Sequence, residues 1–274
     1  MESALYLGDA AEILPRFDDG RFRLVYVDPP FNTGAEQRRR TLRTVSAEDG
    51  DRAGFQGRRY RTELVGEAAF ADAFDDYVGW LEPFLVQARR LLDEAGTLYV
   101  HLDPREAHYV KVALDGIFGR ECFLNELVWA YDYGARAKRR WPAKHDTILV
   151  YVKDRRRYHF DAEAVDREPY MAPGLQTAER AARGKLPTDV WWHTIVSPTG
   201  KEKTGYPTQK PLGVLRRIVE ASSRPGDWCL DFFAGSGTLG AACADLGRNF
   251  VLVDSNPAAV EVMERRLGLQ ARAA

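Results

Sequence analysis

The segment Trp228-Cys229-Leu230-Asp231-Phe232-Phe233-Ala234-Gly235-Ser236-Gly237-Thr238 joins a short apolar run to a turn of small residues. A helix-like stretch follows, and a second apolar run over 249–254 ends in Asp254, 23 residues beyond Asp231. Small residues let the backbone approach a ligand at the carboxyl end of a strand, where doubly wound sheets bind cofactors. The pattern predicts a strand, a glycine turn, a helix and a second strand around a nucleoside-binding site.

The two acids of this segment have different predicted partners. A carboxylate at the spacing of Asp254 suits the hydroxyls of a ribose. Asp231 precedes the turn, where dinucleotide sites require no acid, and suits a cation such as the amino group of a bound amino acid moiety. The alternative is a tight strand-to-helix turn in which Asp254 only caps the helix that starts near Pro257.

Elsewhere the chain alternates apolar runs with helix-like segments. Strands are predicted at residues 4–7, 22–27, 97–102, 126–131, 147–152, 228–233 and 249–254. Helices are predicted at residues 70–93, 104–118, 211–223, 237–247 and 256–267. This alternation predicts an α/β fold with a Rossmann-like, mostly parallel sheet of seven strands and helices on both faces. No helix separates 126–131 from 147–152, so these two strands can form an antiparallel pair.

Two segments interrupt the alternation within what we predict to be a single domain, 1–274. Residues 32–69 hold eight arginines, several glycines and little periodicity, which predicts a long loop that is either functional or disordered. Residues 154–203 are rich in Arg, Pro, Gly, Trp and Tyr, and we predict that they form a small inserted segment.

Composition excludes several classes of protein. Among 274 residues, 39 Lys and Arg balance 40 Asp and Glu, so any attraction for a polyanion must come from local patches. The three cysteines are too few and too scattered for a disulfide framework or a thiolate metal cage. The first residues lack the features of a signal peptide, and no apolar run approaches the ~18 residues of a membrane span. We therefore expect a cytoplasmic protein that binds no metal and no membrane.

A second motif lies near the beginning of the chain, where the predicted strand 22–27 runs into Asp28-Pro29-Pro30-Phe31. The two prolines stiffen the turn, so the Asp28 carboxylate and the Pro29 carbonyl become fixed acceptors beside an aromatic ring. Acceptors on both hydrogens of an exocyclic amino group favour its nucleophilic geometry and the charge that develops during attack. Phe31 can stack on the base. The alternative is a proline-rich loop with a capping Asp.

Three motifs occur in a distinctive order: Asp28-Pro29-Pro30-Phe31, then Tyr206-Pro207-Thr208-Gln209-Lys210-Pro211, then the glycine turn that begins at Asp231. This order resembles the β class of S-adenosylmethionine-dependent amino DNA methyltransferases, a circular permutation of other methyltransferases. The resemblance covers roughly residues 4–152 and 204–267. It implies the methyltransferase fold and S-adenosyl-L-methionine as the cofactor.

The resemblance assigns roles to individual residues. The catalytic turn corresponds to Asp28, Pro29, Pro30 and Phe31. The loop around the methionine part of the cofactor corresponds to Asp231, Phe232, Ala234, Gly235, Ser236 and Gly237. The ribose-binding acid corresponds to Asp254, and the segment that closes over the methionine carboxylate contains Thr208 and Lys210. Asp9 matches the acid that contacts the cofactor adenine, although an Asp at a strand–helix junction is also an ordinary helix cap.

The implied reaction is methyl transfer to an exocyclic amino nitrogen of a base flipped out of DNA. Adenine N6 is the first expectation, because in this family an Asp heads the catalytic turn of adenine enzymes more often than of cytosine-N4 enzymes. Cytosine N4 is the second. An RNA or protein amino methyltransferase, a non-catalytic nucleic-acid-binding module and a nucleotide-dependent oxidoreductase are the remaining alternatives. Double-stranded DNA is the expected partner, with a second copy of the chain and a cognate restriction endonuclease as further candidates.

A basic cluster lies between the predicted strands 126–131 and 147–152. Its members are Arg136, Lys138, Arg139, Arg140 and Lys144. A charge run is usually a solvated surface, but its place beside the predicted base pocket favours contacts with phosphates. We expect the 32–69 loop to be flexible and to contact DNA as well, and residues 154–203 to recognise the target sequence.

The segment His101-Leu102-Asp103-Pro104-Arg105-Glu106 predicts the beginning of a helix, with Asp103 as its cap and Pro104 in the first turn. His101 can additionally line the target pocket. The other histidines are dispersed and show no metal-binding spacing.

Overall fold

The computed structural model describes residues 2–32, 37–46, 52–53, 59–70, 74–134, 136–197 and 200–273, and within 37–70 it describes the backbone alone. These residues form two compact units, Met1–Pro29 with Asp76–Ala274, and Pro30–Asp75. The single domain predicted over 1–274 is therefore divided, because a segment inserted after the strand 22–27 builds its own sheet.

A central sheet organises the larger unit. Its strands are β1 (Ala4–Leu7), β2 (Phe22–Val27), β6 (Leu92–Leu102), β7 (Phe123–Ala130), β8 (His145–Val152), β9 (Val190–Trp192), β10 (Trp228–Asp231), β11 (Asn249–Asp254) and β12 (Ala271–Ala273). They lie in the order β12-β1-β11-β10-β2-β6-β8-β7-β9. Among these strands only β8 runs opposite to its neighbours, so the predicted mostly parallel sheet and the predicted antiparallel pair of β7 and β8 are confirmed.

The sheet has nine strands in the described part of the chain, whereas seven were predicted. The two missed strands, β9 and β12, have three residues each and lie at opposite edges of the sheet. Three residues are too few for a period-2 pattern to stand out, and an edge strand is fixed by pairing with one neighbour.

Helices cover both faces of the sheet. They are α1 (Ala10–Ile13), α2 (Tyr77–Leu91), α3 (Pro104–Phe118), α4 (Ala178–Arg183), α5 (Leu212–Ser222), α6 (Thr238–Asp245) and α7 (Pro257–Leu267). The buried faces of α5, α6 and α7 share one apolar core with Leu24 and Tyr99 of the sheet. Leu98 and Val100, the neighbours of Tyr99 in β6, are also fully buried. Their side chains point to the opposite face of the sheet, on which α2 and α3 pack together.

Two helix boundaries illustrate how local sequence sets the elements. Asp103 caps α3 as predicted, because its carboxylate accepts a hydrogen bond from the Arg105 backbone N–H at 2.9 Å. The helix predicted over 70–93 begins only at Tyr77, because the Asp76 carboxylate caps it through the Gly79 N–H at 2.9 Å.

The smaller unit is a three-stranded antiparallel sheet of β3 (Gln37–Ser46), β4 (Arg52–Ala53) and β5 (Arg59–Phe70), in the order β3-β5-β4. A loop without regular structure was predicted over 32–69, so that prediction is wrong for the described backbone. The strands gave little apolar pattern because they hold many charged residues, three of them consecutive at Arg38, Arg39 and Arg40, although β-branched residues favour strands. The side chains of this segment's arginines lie outside the described residues.

Residues 154–203 belong to the larger unit and are integrated into it. Their last element, β9, pairs with β7, and Asp166 forms a bidentate ion pair with Arg217 of α5. Trp191 is buried and Trp192 is 77% exposed, so the first is a core residue and the second a surface residue. Among the described helices, none has the length and apolar character to cross a membrane.

Candidate active site

Four strand ends bring together four acids that are distant in sequence. The strands β1, β11, β10 and β2 are adjacent and parallel, so their carboxyl ends lie along one edge of the sheet. Asp231 and Asp254 are the last residues of β10 and β11, Asp28 follows β2, and Asp9 follows β1 by one residue. Crevices at this edge are where open α/β sheets bind ligands.

The glycine turn after β10 is held by Asp254. One carboxylate oxygen accepts the Gly235 N–H at 2.8 Å, and the other accepts the Asn256 N–H at 2.8 Å. Gly235 and Gly237 have φ of +51° and +69°, in the left-handed region that disfavours side chains. A Cβ on Gly237 would also lie 2.8 Å from Cγ of Met263. The turn therefore requires both glycines and presents backbone to the crevice.

Arg266 is a residue of this site that sequence reasoning missed. Its guanidinium donates to the Ser236 carbonyl at 3.1 Å and to Oγ1 of Thr238 at 3.0 Å, from α7 across to the turn. Burial lowers the pKa of this arginine, with opposing contributions from Glu202 and Asp245. A basic residue near the end of a helix is common, and so no sequence signal distinguished it.

The Asp231 carboxyl group, at the end of β10, is almost fully buried. Burial raises its pKa well above the usual value, and the charges of Asp28 and Asp254 raise it further. The Phe233 N–H, at 3.0 Å, and the charge of Lys210 oppose this effect. A buried carboxyl group with a raised pKa ionises more easily when a cation binds beside it, because the positive charge stabilises the carboxylate.

Neighbouring aromatic rings fix the residues that follow Asp231. Phe232 stacks with Phe84 at a centroid distance of 6.3 Å, and Phe233 packs against Trp80 at 5.7 Å. Phe232 and Ala234 are buried. Ser236 is also buried, with its hydroxyl 3.1 Å from that of Thr238.

Asp28 and Lys210 form an ion pair across 182 positions of sequence, with 2.6 Å between Oδ2 and Nζ. The two side chains are only 16% and 11% exposed, so solvent screens the pair weakly. The other oxygen of Asp28, Oδ1, is buried and has no hydrogen-bond partner among the described residues. A buried acceptor without a partner is costly, and it is suited to an N–H donor from a ligand.

The remaining residues of the catalytic turn are divided between the units. Pro29 is buried at the end of the first segment of the larger unit, and Pro30 and Phe31 begin the smaller one. The turn ends at Asn32, whose φ is +52° and whose side-chain oxygen accepts the Phe74 N–H at 2.9 Å. Asparagine tolerates the left-handed region, so Asn32 provides the corner after the prolines.

The segment of Thr208 and Lys210 is shaped by Gln209. Its side chain accepts the Thr204 N–H at 2.8 Å and donates to the Glu202 carbonyl at 2.7 Å. Lys210 joins the glycine turn through its carbonyl, which accepts the Thr238 hydroxyl at 3.2 Å. Thr208 is exposed on the outside of this loop.

Asp9 and the basic cluster occupy less enclosed positions. The Asp9 carboxylate caps α1 through the Ala11 N–H at 2.8 Å, the alternative that the sequence had left open beside a cofactor role. Arg136, Lys138, Arg139 and Arg140 are exposed in the connection between β7 and β8. Lys144, at the end of this connection, donates to the Gly134 carbonyl at 3.2 Å.

The charges of the crevice define what it can hold. Asp28 and Asp254 lie close enough to Asp231 for their charges to raise its pKa, and the charge of the Lys210 ammonium opposes them. The excess of acid fits a ligand that carries positive charge, and the exposed backbone of the glycine turn allows its close approach. Within the described residues, no group of three His, Cys, Asp or Glu side chains could hold a metal ion.

Known proteins share this sequence pattern. A family described as DNA methylase (N6_N4_Mtase) matches residues 22–265. The chain is 30% identical over 270 residues to the DNA adenine methyltransferase YhdJ of Escherichia coli K12, covering 95% of this chain and 81% of that protein. It is 26% identical over 267 residues to the type II methyltransferase M.HpaI of Haemophilus parainfluenzae, covering 97% and 74%.

Solved structures share the fold. The complex of M1.HpyAVI with SAM matches with a TM-score of 0.62 and 21% identity, covering 97% of this chain and 99% of that chain. The cytosine-N4-specific PvuII DNA methyltransferase matches with a TM-score of 0.64 and 14% identity, covering 100% and 94%.

The fold and the acidic glycine crevice define a methyltransferase of the Rossmann-like class. The chain belongs to the N6/N4 DNA methylase family, the S-adenosylmethionine-dependent enzymes that methylate amino groups of DNA bases. The predicted family and its cofactor are thereby confirmed, and the oxidoreductase alternative is wrong.

Proposed function

We propose that this protein transfers the methyl group of S-adenosylmethionine to N6 of adenine in double-stranded DNA. The observation that carries the proposal is the buried, unpartnered Oδ1 of Asp28, next to the acidic crevice at the same edge of the sheet. A relative with 30% identity is named a DNA adenine methyltransferase, which supports adenine as the target.

The residues of the crevice fit the cofactor group by group. Asp231 is the partner of the amino group of the methionine part, Lys210 is the cation for its carboxylate, and Asp254 accepts the ribose hydroxyls. Gly235 and Gly237 give the cofactor close access to the backbone, with Phe232, Ala234 and Ser236 forming the wall. Asp9 faces the adenine, and Thr208 closes the segment over the methionine part.

The chemical roles fall to the catalytic turn. Extrusion of the base from the duplex costs a few kcal/mol, which contacts with the protein must offset. Asp28 and the Pro29 carbonyl accept the two amino hydrogens, so the nitrogen lone pair turns out of the ring plane and towards the methyl donor. Phe31 stacks on the ring, and Pro30 keeps the turn rigid. S-adenosylmethionine supplies the methyl group on a positively charged sulfur.

The proton balance also involves Asp28. When the amino nitrogen gains a methyl group it carries an extra positive charge, and it becomes neutral again by losing one of its hydrogens. The carboxylate that accepts this hydrogen bond stabilises that charge and lies on the path by which the proton leaves. The three cysteines are all buried and none lies in the catalytic turn, so the proposed transfer is direct.

DNA binding is assigned to three surfaces. The exposed Arg136, Lys138, Arg139 and Arg140 contact phosphates, with Lys144 at the base of the same connection. Residues 32–69 also contact the duplex, and residues 154–203 recognise the sequence.

Cytosine N4 is the second candidate. The same two acceptors would serve an amino group on a pyrimidine, and the neighbour with a TM-score of 0.64 is cytosine-N4-specific.

DNA from a host that expresses the chain distinguishes the two bases. Sequencing with modification detection is expected to show N6-methyladenine at a defined sequence, absent from a host that expresses the Asp28→Asn variant. N4-methylcytosine at a defined sequence would establish the second candidate, and unmodified DNA from both hosts would contradict the proposal.

Asp254→Ala is expected to weaken cofactor binding by roughly 1–3 kcal/mol, the value of a lost hydrogen bond to a charged group. Two hydrogen bonds are lost: the one between Asp254 and the ribose, and the one that Asp254 accepts from the Gly235 N–H, which shapes the turn. Asp227→Ala is the matched control. Asp227 also accepts a backbone hydrogen bond, from the Arg224 N–H at 2.8 Å, but it lies before β10, at the opposite edge of the sheet from the site. Calorimetric titration with S-adenosylmethionine measures both, and an unchanged affinity for Asp254→Ala would remove this residue from the site.

A further inference from the structure

A chain of buried hydrogen bonds crosses four adjacent strands beside the catalytic turn. The Tyr26 hydroxyl of β2 lies 2.8 Å from Nδ1 of His101 in β6. The Nε2 of His101 lies 3.0 Å from Oδ2 of Asp146 in β8, and the Tyr131 hydroxyl, just after β7, donates to the other oxygen of Asp146 at 2.9 Å. The order of these strands in the sheet is β2-β6-β8-β7, so each link joins neighbours.

The links at Asp146 have a defined direction of donation. Burial raises the pKa of Asp146, but the hydrogen bond and charge of His101, the charge of Lys210 and the Tyr131 hydroxyl outweigh it and hold the pKa below its usual value. Asp146 is therefore a carboxylate that only accepts, and Nε2 of His101 must donate to it. The other ring nitrogen of His101, Nδ1, bonds to the Tyr26 hydroxyl.

The two ends of the chain lie at functionally different places. Tyr26 precedes Asp28 by two residues. The pKa of Tyr26 is raised, mainly by burial and to a smaller extent by the charge of Asp28. Tyr131 opens the connection that carries the basic cluster, and its N–H donates to the Lys144 carbonyl at 3.0 Å, which closes the base of that connection. The chain thus links the strand of the catalytic carboxylate to the root of the surface assigned to phosphate binding.

We propose that Tyr26, His101, Asp146 and Tyr131 are positioning residues that fix the catalytic carboxylate relative to the basic connection when that connection is bound to DNA. The inference rests on the proposed function. Its physical basis is that hydrogen bonds define distance and angle, whereas apolar side chains of the same volume would fill these positions with similar stability. A catalytic group displaced by about 1 Å can lose on the order of 100-fold in rate.

Single hydroxyl deletions test this role. Tyr26→Phe and Tyr131→Phe are each expected to lower the single-turnover rate of methyl transfer by about tenfold, within the range that misplacement produces. The double variant is expected to be about as slow as the slower single variant, because either deletion interrupts the same chain. The affinities for a duplex and for S-adenosylmethionine are expected to stay within about twofold of the wild-type values, since neither hydroxyl is assigned to a ligand.

Tyr99→Phe is the matched control. The Tyr99 hydroxyl is also buried and bonds to Oγ of Ser222 at 2.7 Å, two residues before His101 on the same strand, but it lies outside the chain. Its loss should lower the melting temperature as much as Tyr26→Phe does and leave the rate unchanged. Equal rates for Tyr26→Phe, Tyr131→Phe and the wild type, or an equal loss of rate in Tyr99→Phe, would overturn the positioning role. A wild-type protein that methylates no DNA would instead refute the proposed function.

Discussion

Asp28→Asn is expected to reduce the single-turnover rate of DNA methylation by about a thousandfold, the upper range for removal of one preorganised electrostatic contact. The amide keeps the size of the side chain and can still accept one hydrogen bond. It lacks the negative charge that stabilises the amino nitrogen as it becomes positive. Cofactor affinity should change far less than the rate, because Asp28 itself is assigned to the base, although it pairs with Lys210, which is assigned to the cofactor carboxylate.

The measurement combines rapid-quench kinetics on a duplex with calorimetric titration of S-adenosylmethionine. Asp227→Asn serves as the control for the loss of one partly buried carboxylate from the larger unit. Equal losses of cofactor affinity and rate in Asp28→Asn would contradict its assignment to the base, and a rate near that of the wild type would contradict a catalytic role.

Asp231→Asn is expected to weaken the binding of S-adenosylmethionine about a hundredfold, which corresponds to roughly 3 kcal/mol for a buried charge contact. In the ligand-free protein, burial raises the pKa of Asp231 well above its usual value. The ammonium of the cofactor stabilises the ionised form, so binding at low pH must release the proton of Asp231. Affinity should therefore rise with pH until the carboxyl group is already ionised in the free protein.

The same shift sets the sign of the effect on stability. Because the folded-state pKa of Asp231 exceeds the unfolded value, its contribution to stability is complete below about pH 4 and is lost as pH rises through the folded-state pKa. In the ligand-free wild type the melting temperature should therefore fall as pH rises from about 4 through the folded-state pKa of Asp231. In Asp231→Asn this fall should be smaller. The pKa of Asp254 is also raised, by burial, so a smaller slope should remain.

Titrations of wild type and Asp231→Asn at several pH values separate the two effects. Asp245→Asn, an exposed carboxylate on α6, is the control for the change of net charge. If Asp231→Asn keeps the wild-type dependence of cofactor affinity on pH, Asp231 is not the group that meets the cofactor cation.

The strand ends were the predictable part of this protein. Apolar runs located the strands that end at Val27 and Asp254, and they placed the end of β10 two residues beyond Asp231. Parallel β–α connections oblige such ends to lie at one edge of a sheet. The glycine turn was readable for the same reason, since Gly235 and Gly237 occupy conformations that other residues avoid. Local chemistry alone specified these features.

Features that depend on tertiary contacts were not predictable. The ion pair of Lys210 with Asp28 joins residues 182 positions apart, and Arg266 reaches the glycine turn from the last helix of the larger unit. The link from His101 to Asp146 depends on the antiparallel pairing of β6 with β8. The sheet of the smaller unit was missed because its strands are rich in charged residues, three of them consecutive in β3, and this obscures a period-2 apolar pattern.

The central claim is that Asp28 directs the amino group of an extruded adenine towards the methyl donor. Isotope-labelled S-adenosylmethionine, duplex DNA, RNA and purified protein test it directly, with mass spectrometry of the digested nucleosides as the readout. Wild type is expected to place the label on N6 of deoxyadenosine, and Asp28→Asn is expected to label the DNA about a thousandfold more slowly while still binding the cofactor. Equal rates of labelling by both proteins, or label on RNA or protein but on no DNA nucleoside, would contradict the account.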